Sequence, residues 1–224
     1  MPCKYIHILP IIEGLWHTGL FMLTYTLAVL NKDVPAIMPF VSDTGAHSLQ
    51  KCIFSFGIVI GAILVFMVMY IRHIQVKDIL KMNNTYDELL FKLNRLSLIY
   101  ASCTSFGLII LGTIPVLPYF YFHTGVGFVT FAFAMVTIHA ETYISCKLYP
   151  RFGSKRLNKF RIVLSVILPI AMFSCAVTLI PSVFMFDGTD KTQWTDKHKG
   201  YKLHVISATF EWISTSTAFC IIGV

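Results

Sequence analysis

Residues 39–57 read PFVSDTGAHSLQKCIFSFG. A polar turn, Ser42-Asp43-Thr44-Gly45, runs straight into an apolar stretch. Working outward, one apolar run precedes it at residues 9–30 and another follows at residues 52–71. About 20 apolar residues suffice to cross the hydrocarbon of a bilayer. The stretch is therefore the first loop of a chain that crosses a membrane and returns, and that reading decides the fold.

Composition agrees. The chain has 224 residues, of which 56% are apolar and 13% charged. That charge content is about half of what a soluble domain carries. With a mean hydropathy of +0.71, lipid solvates most of the surface. The net charge of +7 does not indicate nucleic acid, because the basic residues sit in loops between apolar runs. There they set orientation and meet anionic headgroups. Six cysteines form no CxxC pair, so neither a disulfide framework nor a zinc site is expected, and no cofactor is implied.

The pattern predicts an all-α, polytopic protein, a single unit of six transmembrane helices over residues 1–224. The spans fall at about residues 9–30, 52–71, 96–116, 124–145, 162–184 and 203–224. The first is expected to be a retained helix, since its basic flank is thin, Glu13 and His17 interrupt it, and no small-residue cleavage site follows. Gly57 and Gly61 form a G-x-x-x-G pair in the second span, which suits close packing inside the bundle. Residues 72–95 read as a hydrophilic connection, with an interfacial helix over part of it as the alternative, and Pro169 as a kink in the fifth span.

Six spans put both termini on one side. That side carries twelve Lys and Arg against six on the other, so the positive-inside rule places both termini in the cytosol. The sequon Asn83-Asn84-Thr85 then faces the cytosol and is expected to stay unglycosylated.

Ionisable residues within spans are costly and carry a functional hypothesis by default. Glu13 and His17 are four apart, on one helical face. His139 and Glu141 lie toward the inner end of the fourth span, where Glu141 can snorkel. Glu211 is eight residues into the sixth span. For Glu211 a neutral, hydrogen-bonded strut between helices is the favoured reading over a polar lining for a headgroup or a proton. The run Lys147, Arg151, Lys155, Arg156, Lys159 and Arg161 contains no acid. It offers a contact for anionic lipid, phosphoinositides included, or simply holds topology.

Asp43-Thr44-Gly45 spells an aspartic-protease triplet, but that chemistry needs two such carboxylates and only one copy is present. Ser42 or Asp43 as a cap of the second helix is the plainer reading. The histidines show no H-x-x-x-H or H-E-x-x-H spacing, so no metal site is expected.

In its motifs the chain resembles the damage-regulated autophagy modulator (DRAM) family, within the wider Frag and Sfk group of six-span proteins. The resemblance rests on Pro39, Phe40, Ser42, Asp43, Thr44, Gly45, Cys52 and Phe54 in the opening stretch. It continues through YIRHIQV at residues 70–76, KLNRLSL at 92–98 and His123. The last outer loop, QWTDKHKGYKLHVISATFEW, matches at Trp194, Lys199, Gly200, Tyr201, Leu203, His204, Glu211 and Trp212. Family members continue past the sixth span with a cytosolic tail that these residues do not include.

The resemblance implies a lysosomal or endosomal membrane protein that promotes autophagy, with plasma membrane and Golgi as alternatives. It establishes no catalytic residues. A non-enzymatic modulator acting through membrane lipids or protein partners is favoured. The alternatives are a lipid transporter or scramblase, and a lipid-remodelling enzyme akin to the GPI-anchor branch of the wider group. Asp43, His123, Trp194, Lys199, His204 and Glu211 form the expected outer-face polar site. Asp43 is expected to pair with Lys199, Lys202 or His204.

Overall fold

A computed structural model describes residues 6–82 and 87–222. The sequon at Asn83 lies outside the described residues. Six long helices follow one another: α1 (Leu9–Leu30), α2 (Ser48–Met82), α3 (Glu88–Thr113), α4 (Phe120–Leu148), α5 (Lys155–Met185) and α6 (Tyr201–Ile222). No strand occurs among the described residues. The expected all-helical, multi-pass membrane architecture is what the structure shows.

Five of the helices, α2 to α6, are long and apolar enough to cross a membrane by length and composition. The exception, α1, has the length at 22 residues but carries Glu13, Trp16, His17 and Thr24. Glu13, His17 and Thr24 are fully buried, so the polar face of α1 turns into the bundle.

Each helix packs on its neighbours in the chain, and α6 returns to α1, so the six close into a ring. Across it, α6 approaches α4 and slightly α2, and side chains of α2 reach α4 at the inner end. A ring of this size leaves interior space. The end holding residues 31–47, 114–119 and 186–200 is termed the outer end, and the opposite end the inner.

The helix boundaries differ from expectation most at the inner end. Residues 72–82 are not a hydrophilic connection but a continuation of α2, and α3 already begins at Glu88. The reason is a sparse apolar stripe. Val76 and Leu80, four apart, are buried against Leu90 and Ile144, while Lys77, Asp78 and Lys81 face outward. Asp87 caps α3 by accepting from the Leu90 N–H at 3.1 Å. Pro169, expected to kink the fifth span, lies inside α5 together with Pro181.

The G-x-x-x-G face of α2 packs against α1. A Cβ at Gly57 would fall 2.3 Å from Leu20 Cδ1, and one at Gly61 would fall 2.3 Å from His17 Nε2. Trp16 Nε1–H donates to the Gly57 carbonyl at 2.8 Å, joining the two helices at this point.

Candidate functional site

The opening stretch folds on itself before α2 begins. The N–H groups of Asp43, Gly45 and Ala46 donate to the carbonyls of Phe40, Ser42 and Asp43 at 3.1, 3.2 and 3.0 Å. Thr44 Oγ1 donates to the Val41 carbonyl at 2.7 Å. With its backbone satisfied locally, the turn can leave water. Phe40, Val41, Asp43, Thr44 and Ala46 are all buried. Residues 39–46 are therefore a plug set into the outer end rather than a surface loop. Gly45 permits the fit, since a Cβ there would fall 2.3 Å from Phe54 Cγ. Neither Ser42 nor Asp43 caps α2, which starts at Ser48; Ser42 makes no side-chain cap bond.

Helix α6 and the loop before it hold the plug. Glu211 Oε2 accepts from the Val41 N–H at 2.6 Å, and Trp212 Nε1–H donates to the Pro39 carbonyl at 2.9 Å. The Phe40 and His204 rings meet edge-on at 4.9 Å. Gln193 Nε2 donates to the carbonyls of Lys32 and Asp33 at 3.1 and 2.6 Å, and His47 Nε2 is bonded to Thr192 Oγ1 at 2.8 Å. The two outer segments thus meet, but not through the expected pairing. Asp43 bonds none of Lys199, Lys202 and His204. Lys199 and Lys202 are exposed, and Lys199 Nζ stands 4.0 Å from Asp187 Oδ2.

Beneath the plug lies a cavity of about 120 Å³. Its wall is apolar, with Phe21, Phe54, Leu108, Phe128 and Phe131 drawn from four helices. Asp43, His123, Glu211 and Thr215 bring polar groups to it. His123 Nδ1–H donates to the Ile114 carbonyl at 2.7 Å, which leaves Nε2 as an acceptor in the neutral ring. Asp43 Oδ2 is buried without a hydrogen-bond partner among the described residues. Burial pushes the Asp43 carboxyl well above the usual range; nearby Glu211 adds to this, the Phe40 backbone opposes it, and Asp190 contributes slightly. Burial thus disfavours the charged form of Asp43 at an apolar chamber.

Two other expected members lie beside the chamber. Trp194 and His204 are buried, their rings 4.3 Å apart, with Phe186 4.3 Å from Trp194. Trp194 Nε1 and His204 Nδ1 have no hydrogen-bond partner among the described residues.

The remaining expected residues divide. Glu13 Oε1 and His17 Nδ1 are 3.0 Å apart and fully buried, with His17 stacked on Phe219 at 3.5 Å. His139 is exposed and bonds its own helix at the Met135 carbonyl. Glu141 does not snorkel; it accepts from Arg72 Nε at 3.2 Å and from Ser97 Oγ at 2.6 Å. Lys147, Arg151, Lys155, Arg156 and Lys159 are exposed, whereas Arg161 is half-buried and bonds Ser145 Oγ at 2.8 Å.

Sequence reasoning missed the aromatic wall, because apolar residues in a span look alike whether they face lipid or a chamber. It also missed Arg72, which reads as an ordinary charge ending a span. Among the described residues no three of His, Cys, Asp and Glu gather as metal ligands.

A ring of apolar helices, plugged at one end over a chamber with two carboxyl groups, defines a multi-pass helical membrane protein with a small internal cavity. The chain belongs to the Frag1/DRAM/Sfk1/Cwh43P N-terminal domain family, which it matches over residues 5–224. It is 27% identical over 214 residues to DNA damage-regulated autophagy modulator protein 2 of Bos taurus, covering 94% of this chain and 79% of that one. It is 30% identical over 207 residues to DNA damage-regulated autophagy modulator protein 1 of Mus musculus, covering 91% and 82%. A shorter match, 34% over 77 residues, is to the modulator of macroautophagy TMEM150B of Mus musculus, covering 34% and 32%. No solved structure matches the chain.

Proposed function

We propose that this protein is a membrane modulator of autophagy that works without catalysis, by holding a lipid or similar amphiphile in the outer chamber. The names of its relatives support the first half, since those matched along most of their length are autophagy modulators. The chamber supports the second. An apolar interior with a neutral carboxyl beside Glu211 suits an alkyl or ring portion below and a hydroxyl or ammonium group at the plug. Its volume is near that of a protein cavity able to take up benzene, so it fits the end of a ligand rather than a whole phospholipid. The location that goes with this reading is a lysosomal or endosomal membrane, both termini in the cytosol and the plug facing the lumen.

The observation that carries the proposal is the placing of Asp43 and Glu211 on one apolar chamber. The test is lipid co-purification with mass spectrometry, wild type beside Glu211→Gln. The glutamine can still accept the Val41 N–H, so the plug should stay in place. The expected result is a lipid species retained by the wild type and depleted in the variant, with autophagic flux reduced at equal expression. Equal lipid in both samples, or a loss confined to folding yield, would make Glu211 a strut.

A further inference from the structure

A second cavity opens at the inner end, on the opposite side of the ring. Its volume is about 460 Å³, within the range of small-ligand pockets. Arg72 from α2 and Arg161 from α5 both line it. Arg72 Nη2 and Arg161 Nη1 donate to the same oxygen, Ser145 Oγ, at 2.9 and 2.8 Å. Two guanidinium groups thus converge on one neutral hydroxyl. Like charges so close repel, and an anionic acceptor would relieve that repulsion far better than a serine oxygen.

The rest of the cleft fits that purpose. Glu141 is the single acid among its described lining residues. Glu141 engages Arg72 through Nε only. Arg72 Nη1 makes no hydrogen bond among the described residues, which leaves a donor edge available. Thr142 Oγ1, buried and on the same lining, has no hydrogen-bond partner there either. Arginine offers the planar fork that matches phosphate oxygens, which lysine lacks. The exposed Lys155, Arg156 and Lys159 stand in the first turns of α5, before Arg161. Apolar side chains, among them Val68, Met69 and Ile221, complete the lining.

We propose that this inner cleft binds a phosphate group between Arg72, Arg161 and Thr142, presented either by an anionic lipid headgroup or by soluble phosphate. The apolar lining favours the lipid. The site is separate from the outer chamber, and its test does not depend on what that chamber holds.

The experiment uses the full chain in detergent, titrated with dioctanoyl phosphatidic acid, dioctanoyl phosphatidylcholine and inorganic phosphate, with binding read by native mass spectrometry. The main variant is Arg72→Gln with Glu141→Gln, which leaves no unpaired acid behind. Phosphatidic acid should bind the wild type, and at least about tenfold more weakly the double variant. Phosphatidylcholine should bind neither. If inorganic phosphate binds the wild type as tightly as phosphatidic acid, and the double variant loses both, the site stands with soluble phosphate as its ligand. Should the double variant fail to fold, Arg72→Lys keeps the charge but loses the second donor edge. A drop of about threefold is expected from it. Phosphatidic acid binding unchanged in whichever variant folds, or phosphatidylcholine bound as tightly as phosphatidic acid, would overturn the proposal.

Discussion

The two ends of the bundle handle buried charge in opposite ways. At the outer end Asp43 is buried with a carboxyl oxygen that has no partner among the described residues, and burial disfavours its charged form. At the inner end Arg72 takes Glu141 as a partner, with Ser97 and Ser145 completing the bonds. Aspartic acid can shed its charge by holding a proton, whereas arginine stays protonated and must be neutralised by a neighbour. The outer chamber is therefore apolar beside a carboxyl whose charged form is disfavoured, and the inner cleft is a polar network around two guanidiniums.

The sharpest way to break this contrast is to remove one partner at the inner end. Glu141→Leu strands a guanidinium among helices and should cost about 3 kcal/mol of stability, read by thermal unfolding in detergent. Arg72→Met together with Glu141→Leu should recover most of that loss. If the single variant is as stable as the wild type, the inner end does not depend on charge pairing.

At the outer end packing should matter more than pairing. Gly45→Ala drives a methyl into Phe54 and should cost roughly 1–3 kcal/mol. Gly19→Ala, with nothing within 4 Å of its new methyl, is the clash-free control inside α1 and should stabilise by up to about 1 kcal/mol through helix propensity.

A smaller effect separates the ends by pH. Folding raises the Asp43 carboxyl, so the folded chain keeps its proton after the unfolded chain has released one near pH 4, roughly. Its contribution is greatest in acid, declines as pH rises toward the folded-state value, and is constant above that. Asp43→Asn should abolish this decline. Glu211, Asp190 and His123 around it are common to both proteins, so the informative quantity is the difference between wild type and variant across the pH range. A difference that does not vary with pH would mean that Asp43 is charged. The smallest effect belongs to Lys199→Ala. Its pair with Asp187 is long and exposed, so stability should move by less than about 0.5 kcal/mol.

Much of this was legible beforehand, and the failures have physical reasons. The helical, multi-pass architecture and the family followed from apolar run lengths and from the motifs at residues 39–57 and 193–212. The reach of α2 to Met82 did not, because Val76 and Leu80 among charges form too thin a stripe to register as apolar. The spacing of Glu13 and His17 announced a pair on one face of a helix, and they are 3.0 Å apart. Asp43 was expected to seek a cation, since charge complementarity is what a sequence suggests for an acid near lysines. Its burial made a neutral carboxyl the cheaper solution, and α6 reached the plug through the Val41 N–H instead.

The opening stretch shows where the division falls. Hydropathy is a sum over neighbours in the chain, so the sequence alone determined that residues 39–57 connect two apolar runs. It also determined which of its residues resemble a known family. That the stretch is a buried plug over a chamber was decided only by the closing of α6 onto α1. The bond that holds it joins Val41 to Glu211, 170 positions apart. The inner pair of arginines is likewise a product of the ring, since α2 and α5 meet at Ser145 of α4. Contacts of that kind depend on which faces of the helices turn inward, and apolar content is nearly blind to orientation when lipid and protein interior are equally apolar.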